Sequence, residues 1–238
     1  MDTLRLADDA VGAWLQLPGS ATAELMGSVG FDFVCVDQQH GLIGDDALLP
    51  MLQAIDATGT PSLVRVTANE PAAIGRALDR GAAGVIVPLV DSPEEADAAV
   101  AACYHPPRGS RSYGPTRTGW LGERPDPLCV VMVETTAAVA ALPRILEVDD
   151  LDAVFIGPSD LALGAGMPLR AQDGAPAYED LLGSIIGPCR EAGMPVGIYC
   201  ASPAHARRFR DMGCTFTALM SEATMLRTAA ATHLADSR

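Results

Sequence analysis

Ala153-Val154-Phe155-Ile156-Gly157-Pro158-Ser159-Asp160 is the unit from which this chain can be read. Four apolar residues in unbroken succession fit a strand buried on both faces, rather than one with a polar side. Gly157-Pro158-Ser159 then bends the chain sharply before a helix, and Asp160 follows within the same turn. Working outward, apolar runs recur at 11–17, 31–36, 62–66, 84–88, 129–134, 153–156, 196–200 and 215–220. Helical patterns lie between them. Residues 45–57 carry Leu48, Leu49, Leu52 and Ile55 at helical spacing, and 70–80 follow Asn69, which reads as an N-cap. Ser92-Pro93-Glu94-Glu95 reads as N-cap, N1 proline and acidic first turn, and Ser202-Pro203 opens another helix in the same way. Strand–helix alternation repeated eight times predicts an α/β fold, a (β/α)8 TIM barrel formed by a single domain over 1–238. A doubly wound open sheet is the weaker alternative, because no G-x-G-x-x-G follows the first strand. The stretches 105–127 and 164–177 read as long loops, a length that in compact domains tends to carry function.

Composition excludes several kinds of protein. Of 238 residues, 49% are hydrophobic and 19% charged, which is globular and allows a large core. A net charge of −14 argues against a nucleic-acid surface, which needs a basic stripe. No apolar run is long enough to span a bilayer and no signal pattern opens the chain, so a cytoplasmic location is expected. Cys35, Cys103, Cys129, Cys189, Cys200 and Cys214 form no C-x-x-C pair and read as buried thiols, not as a disulfide framework or a zinc site. All 16 basic residues are arginine. Without lysine there can be no Schiff-base aldolase, no pyridoxal-phosphate enzyme and no P-loop. Chemistry at a carbon next to a carbonyl would then have to stabilise the enolate by a metal.

The chemistry-bearing residues cluster at the ends of the strand-like runs. Asp37 and His40 follow 33–36, Arg65 closes 62–64, Glu134 closes 130–133, and Asp160 follows 153–156. In a parallel barrel these ends converge on the face that carries the active site. Glu134 and Asp160 could hold a hard divalent cation, which takes oxygen ligands and keeps several waters. Equally, Asp160 could cap a helix and Glu134 pair with an arginine. Arg65 offers a planar fork for a carboxylate or enolate oxygen, or a structural ion pair with Glu134 or Asp37. His40, three residues from Asp37, could be oriented by it and act as a general base. Backbone N–H groups at the bend Gly157-Pro158-Ser159, where the proline itself has none, could receive a carboxylate. His105, His205 and His233 read as ordinary residues.

These stretches resemble the HpcH/HpaI aldolase family of metal-dependent pyruvate aldolases. The resemblance rests on F-D-F-V-C-V-D-Q-Q-H-G (31–41), P-S-L-V-R-V (61–66), A-L-D-R-G-A-A-G-V-I-V-P (77–88), Y-H-P-P-R-G-S-R-S-Y-G (104–114), V-M-V-E-T (131–135) and V-F-I-G-P-S-D-L-A (154–162). Order and spacing match over nearly the whole chain. The resemblance implies a phosphoenolpyruvate/pyruvate-type barrel with Mg²⁺, Mn²⁺ or Co²⁺ on Glu134 and Asp160, and with Arg65 on the keto or enolate oxygen. His40 with Asp37 would handle protons, and Trp14 would line the pocket. Asp79 would approach the histidine from a neighbouring subunit. The last helix would be exchanged between barrels, in a homohexamer (a trimer of dimers) or another homo-oligomer. Two positions depart from the family pattern. Gln39 stands where D-x-E-H often has glutamate, and Met132 where some members have glutamine, which makes the pocket less polar.

The expected activity is that of a lyase, cleaving a 4-hydroxy-2-oxo acid reversibly to pyruvate, or a close 2-oxo acid, and an aldehyde. No nucleotide cofactor, nucleic acid or membrane partner is expected. The alternatives are a lyase acting on CoA thioesters, like citrate lyase β or malyl-CoA lyases, and a non-catalytic keto-acid-binding barrel. The chain lacks an obvious basic platform for the phosphates of CoA. A phosphosugar site is not expected either, because the eighth run leads into Ser221-Glu222 rather than a glycine-rich loop.

Overall fold

Eight parallel strands close on themselves in sequence order, β1 pairing with both β2 and β8, which excludes the open-sheet alternative. The computed structural model describes residues 4–7, 9–114, 117–120, 122 and 124–238. The strands are β1 (Ala10–Leu15), β2 (Phe33–Asp37), β3 (Ser62–Arg65), β4 (Gly84–Val87), β5 (Leu128–Val133), β6 (Ala153–Ile156), β7 (Val196–Cys200) and β8 (Phe216–Ser221). Each falls within two residues of an apolar run.

Side-chain alternation along the strands separates two cores. One set, including Val34, Val36, Val64, Val85, Val131 and Ile156, packs outward against the helices. The other fills the barrel, with Trp14, Phe33, Cys35, Leu63, Ile86, Val130, Met132, Phe155 and Phe216 among its members. The Phe33 ring needs the bare backbone of Gly12, where a Cβ would lie 2.2 Å from a ring carbon. The same period of two places Asp37 on the inner face with Cys35, Arg65 with Leu63 and Glu134 with Met132. All three lie at the C-terminal ends of their strands.

The helices begin where the caps say they should, with one exception. Ser92 Oγ accepts from the Glu95 N–H at 3.2 Å to open α4 (Pro93–Cys103), and Ser202 Oγ from the His205 N–H at 3.1 Å to open α9 (Pro203–Met212). The exception is α3 (Pro71–Asp79), whose N-cap is Glu70 and whose N1 is Pro71; Asn69 instead donates to the Glu95 carbonyl at 2.9 Å. The remaining helices of the frame are α1 (Ser20–Gly27), α2 (Asp45–Thr58), α6 (Thr136–Ile145), α7 (Pro158–Gly164), α8 (Pro176–Glu191) and α10 (Glu222–Asp236).

A short helix, α5 (Arg117–Trp120), interrupts the first loop stretch, where Pro115, Thr116, Leu121 and Glu123 lie outside the described residues. A 3-10 turn at Leu169–Asp173 occupies the second. All six cysteines are free and buried. Among the described residues no helix is long and apolar enough to cross a membrane. The last helix, α10, is exposed along nearly its whole length, including Leu226 and Leu234.

Candidate active site

A cavity of about 180 Å³ opens at the C-terminal ends of the strands. At roughly 30 Å³ per liquid water, it has room for about six waters or one small organic acid. Trp14, His40, Arg65, Met132, Glu134, Gly157, Pro158, Ser159 and Asp160 all line it, so residues scattered over 147 positions of sequence meet in one place. Gln16, Phe155 and Tyr199 line it as well.

Arg65 is 7% exposed and Asp37 is wholly buried beneath it. Arg65 Nε donates to Asp37 Oδ1 at 2.8 Å and Nη2 to Oδ2 at 2.6 Å. The guanidinium also lies 5.0 Å from the centre of the Trp14 ring. Trp14 Nε1 donates to Asp37 Oδ2 at 3.2 Å. Burial alone would raise the Asp37 carboxyl, but the hydrogen bonds and charge of Arg65 outweigh it, helped by the His40 N–H and Trp14, and hold it below the usual range. The structural ion pair with Asp37 is therefore present, and it leaves Arg65 Nη1 without a protein acceptor among the described residues.

Asp37 meets His40 differently from the sequence expectation. Its Oδ1 accepts the backbone N–H groups of Gln39 at 3.0 Å and His40 at 3.2 Å. It shapes the turn that carries the histidine and makes no hydrogen bond to the imidazole, because its oxygens are already engaged by Arg65 and Trp14. His40 itself is exposed at the pocket mouth.

Glu134 stands just beyond β5 and is 2% exposed. Its Oε1 accepts the Leu89 N–H at 2.8 Å. On its other side lies Gly157, where a Cβ would fall 2.4 Å from Glu134 Oε2. Burial pushes the Glu134 carboxyl above its usual range, opposed by the Leu89 N–H and reinforced by the negative charge of Asp160. Asp160 is the third residue of α7 and not its cap, a position held by Gly157. Among the described residues, no arginine or histidine forms an ion pair with Glu134 or Asp160. Both structural explanations raised for the two acids are thus absent.

Asp79 is not in the pocket. It ends α3 and accepts from Arg111 Nη2.

A sequence model of the HpcH/HpaI aldolase/citrate lyase family matches residues 10–229. The chain belongs to this family, and with it to the carbon–carbon lyases. It is 38% identical to a hydroxypyruvate/pyruvate aldolase of Rhizorhabdus wittichii, over 96% of this chain and 94% of that protein. It is 37% identical to a 2-dehydro-3,6-dideoxy-6-sulfogluconate aldolase of Pseudomonas putida, over 91% and 88%. Among solved structures, an HpcH/HpaI aldolase/citrate lyase family protein from Burkholderia cenocepacia superposes with a TM-score of 0.91 at 29% identity, covering 98% of this chain and 97% of that one.

Sequence reasoning missed Gln16, Phe155, Tyr199 and Leu89. Phe155 and Tyr199 sit in continuous apolar runs, where nothing distinguishes an inward residue from an outward one. Leu89 acts through its backbone, which carries no residue-type signal. Glu222, 4% exposed, was also unread; its carboxylate accepts the N–H groups of Gln16, Leu17 and Ala223 at 2.7–3.0 Å, tying β1 to the start of α10.

Proposed function

We propose that this lyase reversibly cleaves a 4-hydroxy-2-oxo acid to pyruvate, or a close 2-oxo acid, and an aldehyde. The observation that carries the reading is the meeting, in one small cavity, of an anchored arginine with two carboxylates that form no ion pair among the described residues, in a chain without lysine. The two relatives named above are themselves called aldolases, which agrees with it.

The donor set fits a hard divalent cation. Glu134 and Asp160 would supply anionic oxygens to it, and the negative charge of Asp160 adds to the burial that disfavours a charged Glu134 when no cation is bound. Bound there, Mg²⁺, Mn²⁺ or Co²⁺ would polarise the carbonyl of a 2-oxo acid and offset the negative charge that develops on its oxygen. Arg65, held along one edge by two hydrogen bonds to Asp37, would present Nη1 to the same oxygen. The first-turn N–H groups of Ser159 and Asp160 have no intrahelical acceptor and serve the substrate carboxylate. His40 takes the proton from the 4-hydroxyl; the C3–C4 bond then breaks, the aldehyde leaves, and the electron pair becomes the enolate of pyruvate. Protonation at C3 completes the reaction.

Assembly belongs to the same reading. The exposed α10 would be covered by exchange with a second barrel, and Asp79, which does not line the pocket of its own chain, would serve a neighbour's His40 in a homohexamer or another homo-oligomer.

The test is a pyruvate-release screen over 4-hydroxy-2-oxo acids of varied tail, with EDTA and after restoring each metal. Release should stop with EDTA and return with Mg²⁺, Mn²⁺ or Co²⁺. Borohydride with pyruvate should leave no covalent adduct. Metal-independent release, or a reduced pyruvyl adduct, overturns the reading.

A further inference from the structure

Leu89 is one of three non-glycine residues in the described chain with a left-handed backbone, at φ +54°. L-residues other than glycine and asparagine disfavour this conformation. Strain of this kind persists only where the surrounding structure imposes it. The leucine side chain does not impose it, being 55% exposed. The backbone does have a specific partner: the Leu89 N–H donates to Glu134 Oε1 at 2.8 Å.

The register explains why the two meet. Strand β4 pairs with β5 through Val87 and Val131, so two residues further on, past Pro88, the chain stands beside the residues that close β5. An extended continuation would carry the chain on along the barrel axis. The peptide plane shared with Pro88 directs the Leu89 N–H at the carboxylate, and the left-handed turn at Leu89 lets the chain leave that plane toward the buried Val90 and the start of α4 without rotating it. Gly157 closes the other side, where a Cβ would fall 2.7 Å from Glu134 Cβ.

We propose that Leu89 is a positioning residue for the metal-holding carboxylate: its left-handed backbone joins β4 to the start of α4 while keeping in place the preceding peptide plane, whose N–H fixes the Glu134 carboxylate against Gly157. This rests on the reading of Glu134 as a metal ligand, and it predicts that backbone conformation at position 89, rather than the side chain, sets metal affinity.

Leu89→Gly and Leu89→Val both remove the leucine side chain, but glycine tolerates positive φ and valine, being β-branched, resists it. In calorimetric titrations of the full-length apo protein with Mn²⁺, Leu89→Val should bind about 10–100-fold more weakly than Leu89→Gly, the range found when partners of metal ligands are lost. Equal affinities in the two variants overturn the proposal. Failure of the wild-type protein to bind Mn²⁺ overturns the metal reading instead. Hydrogen exchange of the backbone segment carrying Leu89 gives a measure that needs neither metal nor a Leu89 variant. Exchange should be slow in the wild type and at least about tenfold faster in Glu134→Ala, because the acceptor that protects the amide is gone. Unchanged exchange in Glu134→Ala overturns the proposal even if Leu89→Val fails to fold.

Discussion

Asp37 and Arg65 stand side by side as Cα partners on the last rung of the β2–β3 ladder, and their side chains join inside the barrel through two hydrogen bonds of 2.8 and 2.6 Å. The pair joins two jobs that the sequence leaves separate. Asp37 fixes the plane of the guanidinium, and it holds the main chain of the turn at His40. One buried carboxylate thus positions both Arg65, proposed to stabilise the enolate, and the turn that carries His40, proposed to handle the proton.

Replacing Asp37 with Asn should therefore be costly for folding as well as for catalysis. Removing one partner of a buried ion pair leaves the other charge uncompensated, an effect of about 3–5 kcal/mol. The pH dependence has a definite sign. Arg65 depresses the folded-state carboxyl, so its stabilisation is full above the unfolded value of about 3.9 and is lost as pH falls through the lower folded value. Urea unfolding at fixed protein concentration, from pH 7 down into the acid range, should show a shallower acid limb in Asp37→Asn than in wild type. Parallel limbs would remove the pair from the list of acid-sensitive contacts.

The Arg65 role predicts a joint loss. Decarboxylation of oxaloacetate and aldol cleavage pass through the same pyruvate enolate. Arg65→Ala should lower both kcat values by about 10²–10³-fold, as expected for removal of one preorganised donor. Arg65→Lys should rescue little, because an ammonium cannot grip both Asp37 oxygens while presenting a further N–H. Near wild-type decarboxylation by Arg65→Ala would rule out the enolate contact.

Gly157 should be intolerant of even one methyl group. A Cβ there would collide with Glu134 Oε2, Glu134 Cβ and the end of Met132. Met132 can move, whereas Glu134 is held by the Leu89 N–H, so the carboxylate must be displaced. Gly157→Ala should keep a folded barrel by circular dichroism and lose Mn²⁺ affinity by about tenfold or more. Unchanged affinity would mean that Glu134 has slack the structure does not show.

What the sequence revealed follows from which physical signals are local. The barrel was legible because each strand is buried on both faces and so is apolar throughout, while Ser92-Pro93 and Ser202-Pro203 mark helix starts with chemistry of their own. Glu134, Asp160, Arg65 and His40 were legible because a charged group closing an apolar run is conspicuous. The Asp37–Arg65 pair was legible only as one of two ion pairs open to Arg65, because the register of β2 and β3 decides it, and for Asp37 proximity in sequence favoured His40. Tyr199 was hidden for a related reason. Its inward direction appears only once β7 takes its place in the closed sheet, where the ring meets Trp14 edge-on at 5.6 Å. The N-cap assigned to Asn69 failed because Glu95, across on α4, offers that side chain a better partner.

His40 provides the sharpest separation of the two reactions. Aldol cleavage requires removal of the proton on the 4-hydroxyl, whereas loss of CO₂ from oxaloacetate does not. A positioned base contributes about 10²–10⁴-fold, so His40→Ala should lose aldol cleavage by that factor and retain part of its decarboxylation. The imidazole makes no hydrogen bond to Asp37, so whatever orients it comes from elsewhere, and in the proposed assembly that group is Asp79 of a neighbour. Asp79→Ala should then weaken the same step while sparing decarboxylation. Its effect must be separated from loss of the Arg111 contact within the chain, which Arg111→Ala would mimic. Mixing Asp79→Ala with His40→Ala subunits should restore some cleavage, since a fraction of mixed sites would carry both wild-type residues. No recovery after confirmed subunit exchange would refute the shared site, and equal loss of both reactions in His40→Ala would refute its role as the base.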